Sequence, residues 1–298
     1  MSKKTEGKSL TQQAWEQLRK NRVALIAGGL IFVLCVIAVL APWISPYPFD
    51  EQFLDRVLAA PNTEFWLGTD SLGRDMLSRL IYGARVSMAV GLVTAVVSLI
   101  IGILVGAVSG WFGGLMDSFL MRFVDILDSI PSIVLLILVK LIFDALNIIS
   151  NPEMKALTSM LLALSLTSWV SLARVVRGQV LQVKQMAYVE AARSMGAGGG
   201  RIILQHILPN ILGPVIVMLT FQIPSNILSE SFLSFLGLGL QPPYSSWGVL
   251  ANDGWRSMES YPHLMISPGV AIFVAMLAFN VLGDGLRDAF DPQMRGRA

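Results

Sequence analysis

The 298-residue chain reads as an all-α polytopic membrane protein with six transmembrane helices, and three observations carry that reading. Only 14% of its residues are charged, against about 25% in a soluble globular domain. It is 54% hydrophobic, and the apolar residues gather in runs of about 20, the length that crosses a bilayer core. Its Lys and Arg residues then divide unevenly between the segments joining those runs. A net charge of only +2 leaves no electrostatic footprint for nucleic acid. Cys35 is the single cysteine and lies within an apolar run, which excludes a disulfide framework or a thiolate cluster.

Residues 1–9 read as a short, disordered basic tail. Ser9 and Gln12 have capping-box spacing, and Leu10, Ala14 and Leu18 recur every four residues. This predicts a helix lying in the membrane interface with Trp15 near the headgroups, or alternatively a solvated helix. Lys3, Lys4, Lys8, Arg19, Lys20 and Arg22 precede the apolar run Val23 to Leu40. That run exceeds the roughly 7–15 residues of a cleaved signal core, and Pro42-Trp43 stands where cleavage would need small residues, so a retained first span is expected.

The spans are placed at 23–44, 86–111, 120–143, 156–176, 209–236 and 264–284. Six of them put both termini on one side. That side carries six Lys and Arg before span one, Arg122, five from Arg174 to Arg201 and three at the C-terminus, which is 15 of the 22. By the positive-inside rule both termini and the 177–208 loop are cytoplasmic. The expected organisation is a cytoplasmic tail and interfacial helix over 1–22, the first span and a periplasmic loop over 23–85, a core over 86–290, and a cytoplasmic tail over 291–298. In the outer loop Pro46, Pro48 and Pro61 punctuate irregular chain, and after Gly68-Thr69-Asp70 a helix is expected. Arg56, Arg74, Arg79 and Arg85 there run against the charge rule, so that helix should pack on protein.

Nucleotide motifs fail. Gly7-Lys8-Ser9 ends like a P-loop, but the first glycine would fall at Ser2 and no strand precedes it. The glycines from Gly196 to Gly200, and Gly237 with Gly239, miss the dinucleotide spacing. No His-Glu-x-x-His helix exists, and neither His206 nor His263 is placed to activate a serine. The chain is expected to be no enzyme and to bind no cofactor or metal.

The polar stretch from Ala187 to Pro209, between two apolar spans, stands out. Ala187 to Met195 is helix-forming, Ala191-Ala192 offers a flat face for close approach, and Gly196, Gly198, Gly199 and Gly200 permit a reversal. Arg201 to Leu208 can form a second helix before Pro209. The residues support a helix–turn–helix bracket for docking a partner, or an ordinary connection of unusual length. Elsewhere, Arg122, Asp125 and Asp128 read as a solvated or paired helix end, with pathway lining second. Lys140 and Asp144 are expected to pair while snorkelling outward. Gln222, Asn226 and Glu230, four apart on span five, are candidates for a translocation path, a structural hydrogen-bond role or exposure at the outer end. Gly102 and Gly106 suit close helix packing.

Glu190, Ala191 and Ala192, then Gly196, then Leu208-Pro209 resemble the cytoplasmic signature of permease subunits of bacterial ABC importers. His206 departs from it, standing where the pattern has isoleucine. Three further blocks resemble the second permease of oligopeptide and dipeptide importers. They are Gly68-Thr69-Asp70 through Tyr82-Gly83-Ala84-Arg85; Leu233 to Gly239 with Gln241-Pro242-Pro243 and Trp247-Gly248; and Asn280, Gly283-Asp284, Leu286-Arg287-Asp288 and Asp291-Pro292.

The resemblance implies a type I ABC importer permease fold in the bacterial inner membrane. It implies a heterodimer with a second homologous permease, two cytoplasmic ATP-binding subunits carrying ATP and magnesium, and an external solute-binding protein. The bracket, with Tyr188, Glu190, Arg193, Gly196, Ala197 and Arg201, would then seat on an ATPase. Glu190 would pair with a basic residue of that motor or brace the bracket internally, bracing being favoured. Peptide cargo is expected, with nickel or sugar oligomers as the alternatives within the family and a secondary transporter driven by an ion gradient as the alternative outside it.

Overall fold

The structure, a computed structural model, describes residues 10–290 except Asn147, and all its regular elements there are helical. The basic tail over 1–9, the C-terminal tail over 291–298 and the Asp291-Pro292 pair lie outside the described residues. The chain runs through α1 (Leu10–Lys20), α2 (Arg22–Ile44), a 3-10 turn (Leu54–Arg56) and α3 (Met76–Phe112). It continues through α4 (Gly114–Ser129), α5 (Ser132–Ala145), α6 (Pro152–Val183) and α7 (Ala187–Ser194). Then come α8 (Gly199–Ile202), a π-helical turn (Ile203–Ile207), α9 (Leu208–Phe235), α10 (Trp247–Trp255) and α11 (His263–Phe290). Among the described residues five helices are long and apolar enough to cross a membrane, and the pair α4–α5 makes a sixth span if counted as one.

That pair corrects the single straight span expected at 120–143. Its two helices meet at 96°. Pro131 has no N–H to continue the ladder and holds Ile130 extended (φ −86°, ψ 132°), so α4 must stop there. Two other boundaries also shift. The outer-loop helix and span two are one helix, so the division placed at 85 falls inside α3. Asp75 starts that helix, its Oδ2 accepting the Ser78 backbone N–H (2.7 Å) and the Ser78 hydroxyl (2.6 Å). Span five likewise begins at Gly199, ten residues before the expected position, and runs on to Phe235.

The most extensive helix packing is between α3 and α6. Gly102, Gly106 and Gly110 make a stripe at four-residue spacing on α3, and it receives Leu172, Val176 and Val180 of α6. A Cβ at Gly106 would sit 2.5 Å from the Ala173 carbonyl oxygen and 2.7 Å from Val176 Cβ, so only glycine admits this approach. At one end of the bundle α1 buries Ala14 and Leu18 against Ala289 and Phe290 of α11, and Asn21 then caps α2 by accepting from Ala24 N–H at 3.1 Å. The described start and end of the chain therefore lie together. α1 presses one apolar face on protein and leaves Trp15 half exposed beneath Arg19, whose guanidinium sits 5.0 Å from the ring centre.

At the opposite end the loop between α2 and α3 is tied down by rings and charges. Tyr47, Phe53 and Phe65 cluster with centroids 5.1 to 5.5 Å apart. Asp70 Oδ2 accepts Arg74 Nε at 2.8 Å and also Arg79 Nη1, and Arg79 reaches Asp253 of α10 at 3.3 Å. Both arginines are buried, and they weld the loop to α10. Lys140 and Asp144 pair at 2.5 Å, but Lys140 is 4% exposed and does not snorkel outward. Arg174 links Asp125 (3.0 Å) and Asp128 (2.6 Å), making that stretch a paired helix end.

Two stability consequences are measurable by thermal denaturation of the purified protein in detergent. Gly106→Leu should overpack the α3–α6 contact, cost about 1–3 kcal/mol or more, and lower the melting midpoint by several degrees. Gly29→Leu, where nothing lies within 4 Å of the added Cβ, should not. Equal midpoints for the two variants would contradict the close packing. Asp70→Asn leaves two buried guanidiniums short of a counter-charge and should cost about 3–5 kcal/mol. Asp253→Asn, whose side chain is 35% exposed, should cost clearly less, and the reverse order would refute the assignment of Asp70 as the hub.

Candidate functional site

α6 extends to Val183, seven residues past the expected end, and the chain turns within 184–186 before α7. Met186 N–H closes that turn on the Val183 carbonyl at 3.0 Å. Val189 and Ala192, three apart and so on one helix face, are both buried. They join Val176, Val180 and Val183 of α6 with Ile202, Ile207 and Ile211 around span five in one apolar cluster. The back of the bracket is thus continuous with the ends of two spans.

The end of α7 explains the spacing from Ala192 to Ala197. Ala197 N–H reaches the Ala192 carbonyl at 3.1 Å, and Gly196 N–H reaches the Arg193 carbonyl at 3.0 Å. This is a Schellman cap, with Gly196 in the left-handed region at φ +83° and Ala197 packed against the apolar cluster that contains Ala192. Of the four glycines expected to make the reversal, only Gly196 has a positive φ there; Gly199 and Gly200 open α8. The two alanines also part company. Ala191 is exposed and available for close approach, whereas Ala192 is interior.

The expected second arm of the bracket is not a separate helix, because α8 runs through the π turn into α9. Leu208 N–H bonds to the Ile203 carbonyl five residues back, which widens the helix just ahead of Pro209. Pro209 then lies in the first turn of α9, where its missing N–H is tolerated. His206 takes no chemical role here, but its carbonyl accepts Asn210 Nδ2 at 2.7 Å. Arg201 Nε donates to Gln205 Oε1 at 3.0 Å on the exposed side.

The outward surface of α7 carries Tyr188, Glu190, Ala191, Arg193 and Ser194, followed by Met195, which is 82% exposed. Among the described residues no hydrogen bond or ion pair holds the Glu190 side chain, whose backbone N–H bonds to the Met186 carbonyl at 3.2 Å, so the favoured internal brace is not made. Its place in the first turn lets the helix dipole stabilise the carboxylate while it faces outward.

The brace is supplied by a residue that sequence reasoning missed. Trp111, at the end of α3, packs on Gly199 and lies under both Lys184 Nζ and the Arg193 guanidinium, each 5.4 Å from its ring centre. Its carbonyl also accepts Lys184 Nζ. Beside it, Arg177 of α6 grips Asp117 of α4 with two bonds of 2.5 and 2.6 Å. A tryptophan closing a span opposite a basic loop was the available signal; the Asp117–Arg177 pair, 60 residues apart, had none.

Toward the middle of the bundle, α5, α6 and α9 enclose a groove of about 670 Å³. Ser132, Thr167, Ser168 and Ser171 face Gln222, Ser225, Asn226 and Ser229 across it, among apolar residues such as Met218 and Phe221. Gln222 Nε2 donates to the Ser168 carbonyl at 2.5 Å, and Ser168 Oγ donates to Asn226 Oδ1 at 2.9 Å. Asn226 is 3% exposed and its Nδ2 has no partner among the described residues. Two of the three candidate path residues therefore share one groove.

Glu230 does not line it. One turn beyond Asn226 that face of α9 meets α3 and the chain leading into α10. Its carboxyl is fully buried, accepting from Ser87 Oγ at 2.9 Å and Ser234 Oγ at 2.7 Å. Ser87 Oγ also accepts Trp247 N–H at 3.2 Å, so Glu230 is the centre of a structural network joining α3, α9 and α10.

With this geometry in view, comparisons with known proteins place the chain. Residues 98–296 match the family described as binding-protein-dependent transport system inner membrane component, and residues 9–61 match the N-terminal TM domain of oligopeptide transport permease C. The chain is 43% identical over 288 residues to the dipeptide transport system permease protein DppC of Bacillus subtilis, covering 96% of this chain and 87% of that one. It is 39% identical over 287 residues to the oligopeptide transport system permease protein OppC of the same organism, covering 96% and 91%. It is 40% identical over 286 residues to the glutathione transport system permease protein GsiD of Salmonella typhimurium, covering 96% and 91%. Among solved structures, a chain of the MetNI methionine ABC transporter in inward-facing conformations aligns with a TM-score of 0.57 at 20% identity, over 72% of this chain and 98% of that one. Five long apolar helices and a bent pair folded in that manner, with a helical bracket at one end, belong to a multi-pass membrane permease, and the chain is a member of the binding-protein-dependent transport system inner membrane component family.

Proposed function

We propose that this chain is the permease subunit of an ATP-driven importer of short peptides, one half of a heterodimeric pathway whose power comes from separate ATPases. The observation that carries the coupling half of this reading is the two-faced α7: its inner face is fused to the ends of α6 and α9, while its outer face is bare. A soluble motor needs such a handle. The chain takes up no nucleotide itself, and ATP with magnesium belongs to the two ATPase partners. The peptide half of the reading rests on relatives named for dipeptides, oligopeptides and glutathione, whose shared chemistry is the short peptide backbone.

Tyr188, Ala191 and Met195 would seat in a groove of one ATPase, with Glu190 and Arg193 meeting charges at its rim. Closure of the ATPases around ATP would displace α7, and the buried Val189–Ala192 contact leaves α6 and α9 no way to lag behind. Val183 lies about 23 Å along α6 from Ser168, so the displacement reaches the walls of the groove directly. Gln222, Asn226 and the facing serines offer a solute a run of hydrogen-bonding groups in place of water. A second permease would close the open side of that groove. An external binding protein would deliver the peptide at the end holding the Asp70 cluster, and the bracket and termini would face the cytoplasm of a bacterium through its inner membrane.

Reconstitution tests this directly. Proteoliposomes holding the chain with its genomic neighbours should accumulate dipeptide only with ATP on the bracket side and the binding protein on the other. Ala191→Trp should reduce uptake by about tenfold or more while the chain stays folded in the membrane, since a bulky group blocks close approach on the exposed face. Uptake by the chain alone under a proton gradient, or full uptake by Ala191→Trp, would sink the proposal.

A further inference from the structure

Four arginines on the outer segment oppose the charge rule, and the structure gives three of them carboxylate partners. Arg74 and Arg79 meet Asp70 and Asp253, and Arg56 lies 3.4 Å from Asp55. Arg85 is left. It is exposed, and among the described residues no acid, acceptor or ring engages it.

Its surroundings indicate what would. Arg85 stands at the rim of a groove of about 600 Å³ between α2 and α3. Below it the walls are apolar: Cys35 and Val39 from α2, and Val86, Ala89 and Leu92 from α3. At the rim lie three aromatic rings, with Phe49 4.8 Å from Tyr82 and 6.1 Å from Tyr244 between centroids. Aromatic rings of this kind gather at headgroup depth. Arg85 is also 26 residues, or about 39 Å, up α3 from Trp111 beside the bracket, which spans the hydrocarbon layer with headgroup regions included. α2 is apolar beyond Arg22, and only 17% of its most apolar window is buried, which leaves an apolar surface beside the groove of the kind that acyl chains cover.

We propose that the α2–α3 groove is a phospholipid site, in which the Arg85 guanidinium holds the headgroup phosphate and the apolar walls receive an acyl chain. A planar guanidinium matches a phosphate with two parallel bonds, and the site then supplies the missing counter-charge. An anionic lipid such as phosphatidylglycerol binds in preference to a zwitterionic one, because a second charge is not spent on the lipid's own cation. The occupied groove cements the first span to the core at the end where the outer loop is anchored.

Native mass spectrometry of the assembled transporter in mild detergent, titrated with phosphatidylglycerol or phosphatidylcholine, tests the site. The wild type should retain phosphatidylglycerol in preference. Arg85→Gln should weaken that retention about tenfold, the scale of one lost charge-assisted contact. Ala89→Trp, which fills the groove and leaves the cation in place, should weaken it as well. Arg56→Gln, which removes an exposed outer charge remote from the groove, should leave it unchanged. Equal retention by Arg85→Gln and wild type, equal loss in Arg56→Gln, or wild-type phosphatidylglycerol retention by Ala89→Trp would overturn the proposal. So would a peptide in place of lipid that disappears with Arg85→Gln.

Discussion

The approach of α3 to α6 is the constraint on which the rest of the molecule depends. In a membrane the apolar surfaces of two helices gain nothing from leaving water, so contact must come from shape. The glycines at 102, 106 and 110 provide the shape, letting the α6 backbone sit where side chains would otherwise stand. Once α6 is held there, Val176, Val180 and Val183 present a fixed apolar ledge, and α7 and the start of span five fold onto it. The bracket is therefore a product of the packing of spans two and four, and is not an independent loop attached to them.

A second set of constraints works at the far end by polar means. Asp70 with two arginines, and Glu230 with its serines, each bind segments distant in sequence into one body. Burying such groups is expensive, and it is tolerated because their principal hydrogen bonds are made internally. The effect is a molecule with two stiff ends: a charge-welded outer end and an apolar-clustered bracket end. Between them lies the groove flanked by α5, α6 and α9, the region where packing is interrupted by the bend at Pro131. The solute path proposed above runs through this groove.

Much of this was legible in the sequence because membrane solvation leaves few options. The spans follow from apolar run length, the paired end at Asp125 and Asp128 from helical spacing, and the close packing at Gly102 and Gly106 from residue size. What escaped depended on contacts between distant segments. Trp111 gains its role only when α6 and α7 bring Lys184 and Arg193 over it. Glu230 shares the spacing of Gln222 and Asn226, yet one helical turn further along the same face α9 meets α3 instead of the groove. The glycine run from 196 to 200 misled in a different way: permissive residues mark where a turn can form, and only the Schellman hydrogen bonds decided that Gly196 makes it.

If α7 and the ends of α3, α6 and span five are one body, distances within it should not change as the transporter works. Spin labels at Ser194→Cys on α7 and Phe112→Cys on α3, with Cys35 replaced by serine, report one such distance by pulsed electron resonance in the assembled complex. A single narrow distribution that stays fixed between nucleotide-free and ATP-trapped states is the predicted result. A distribution that broadens, or shifts by several ångströms on ATP trapping, would show that the bracket flexes independently and would contradict a rigid handle.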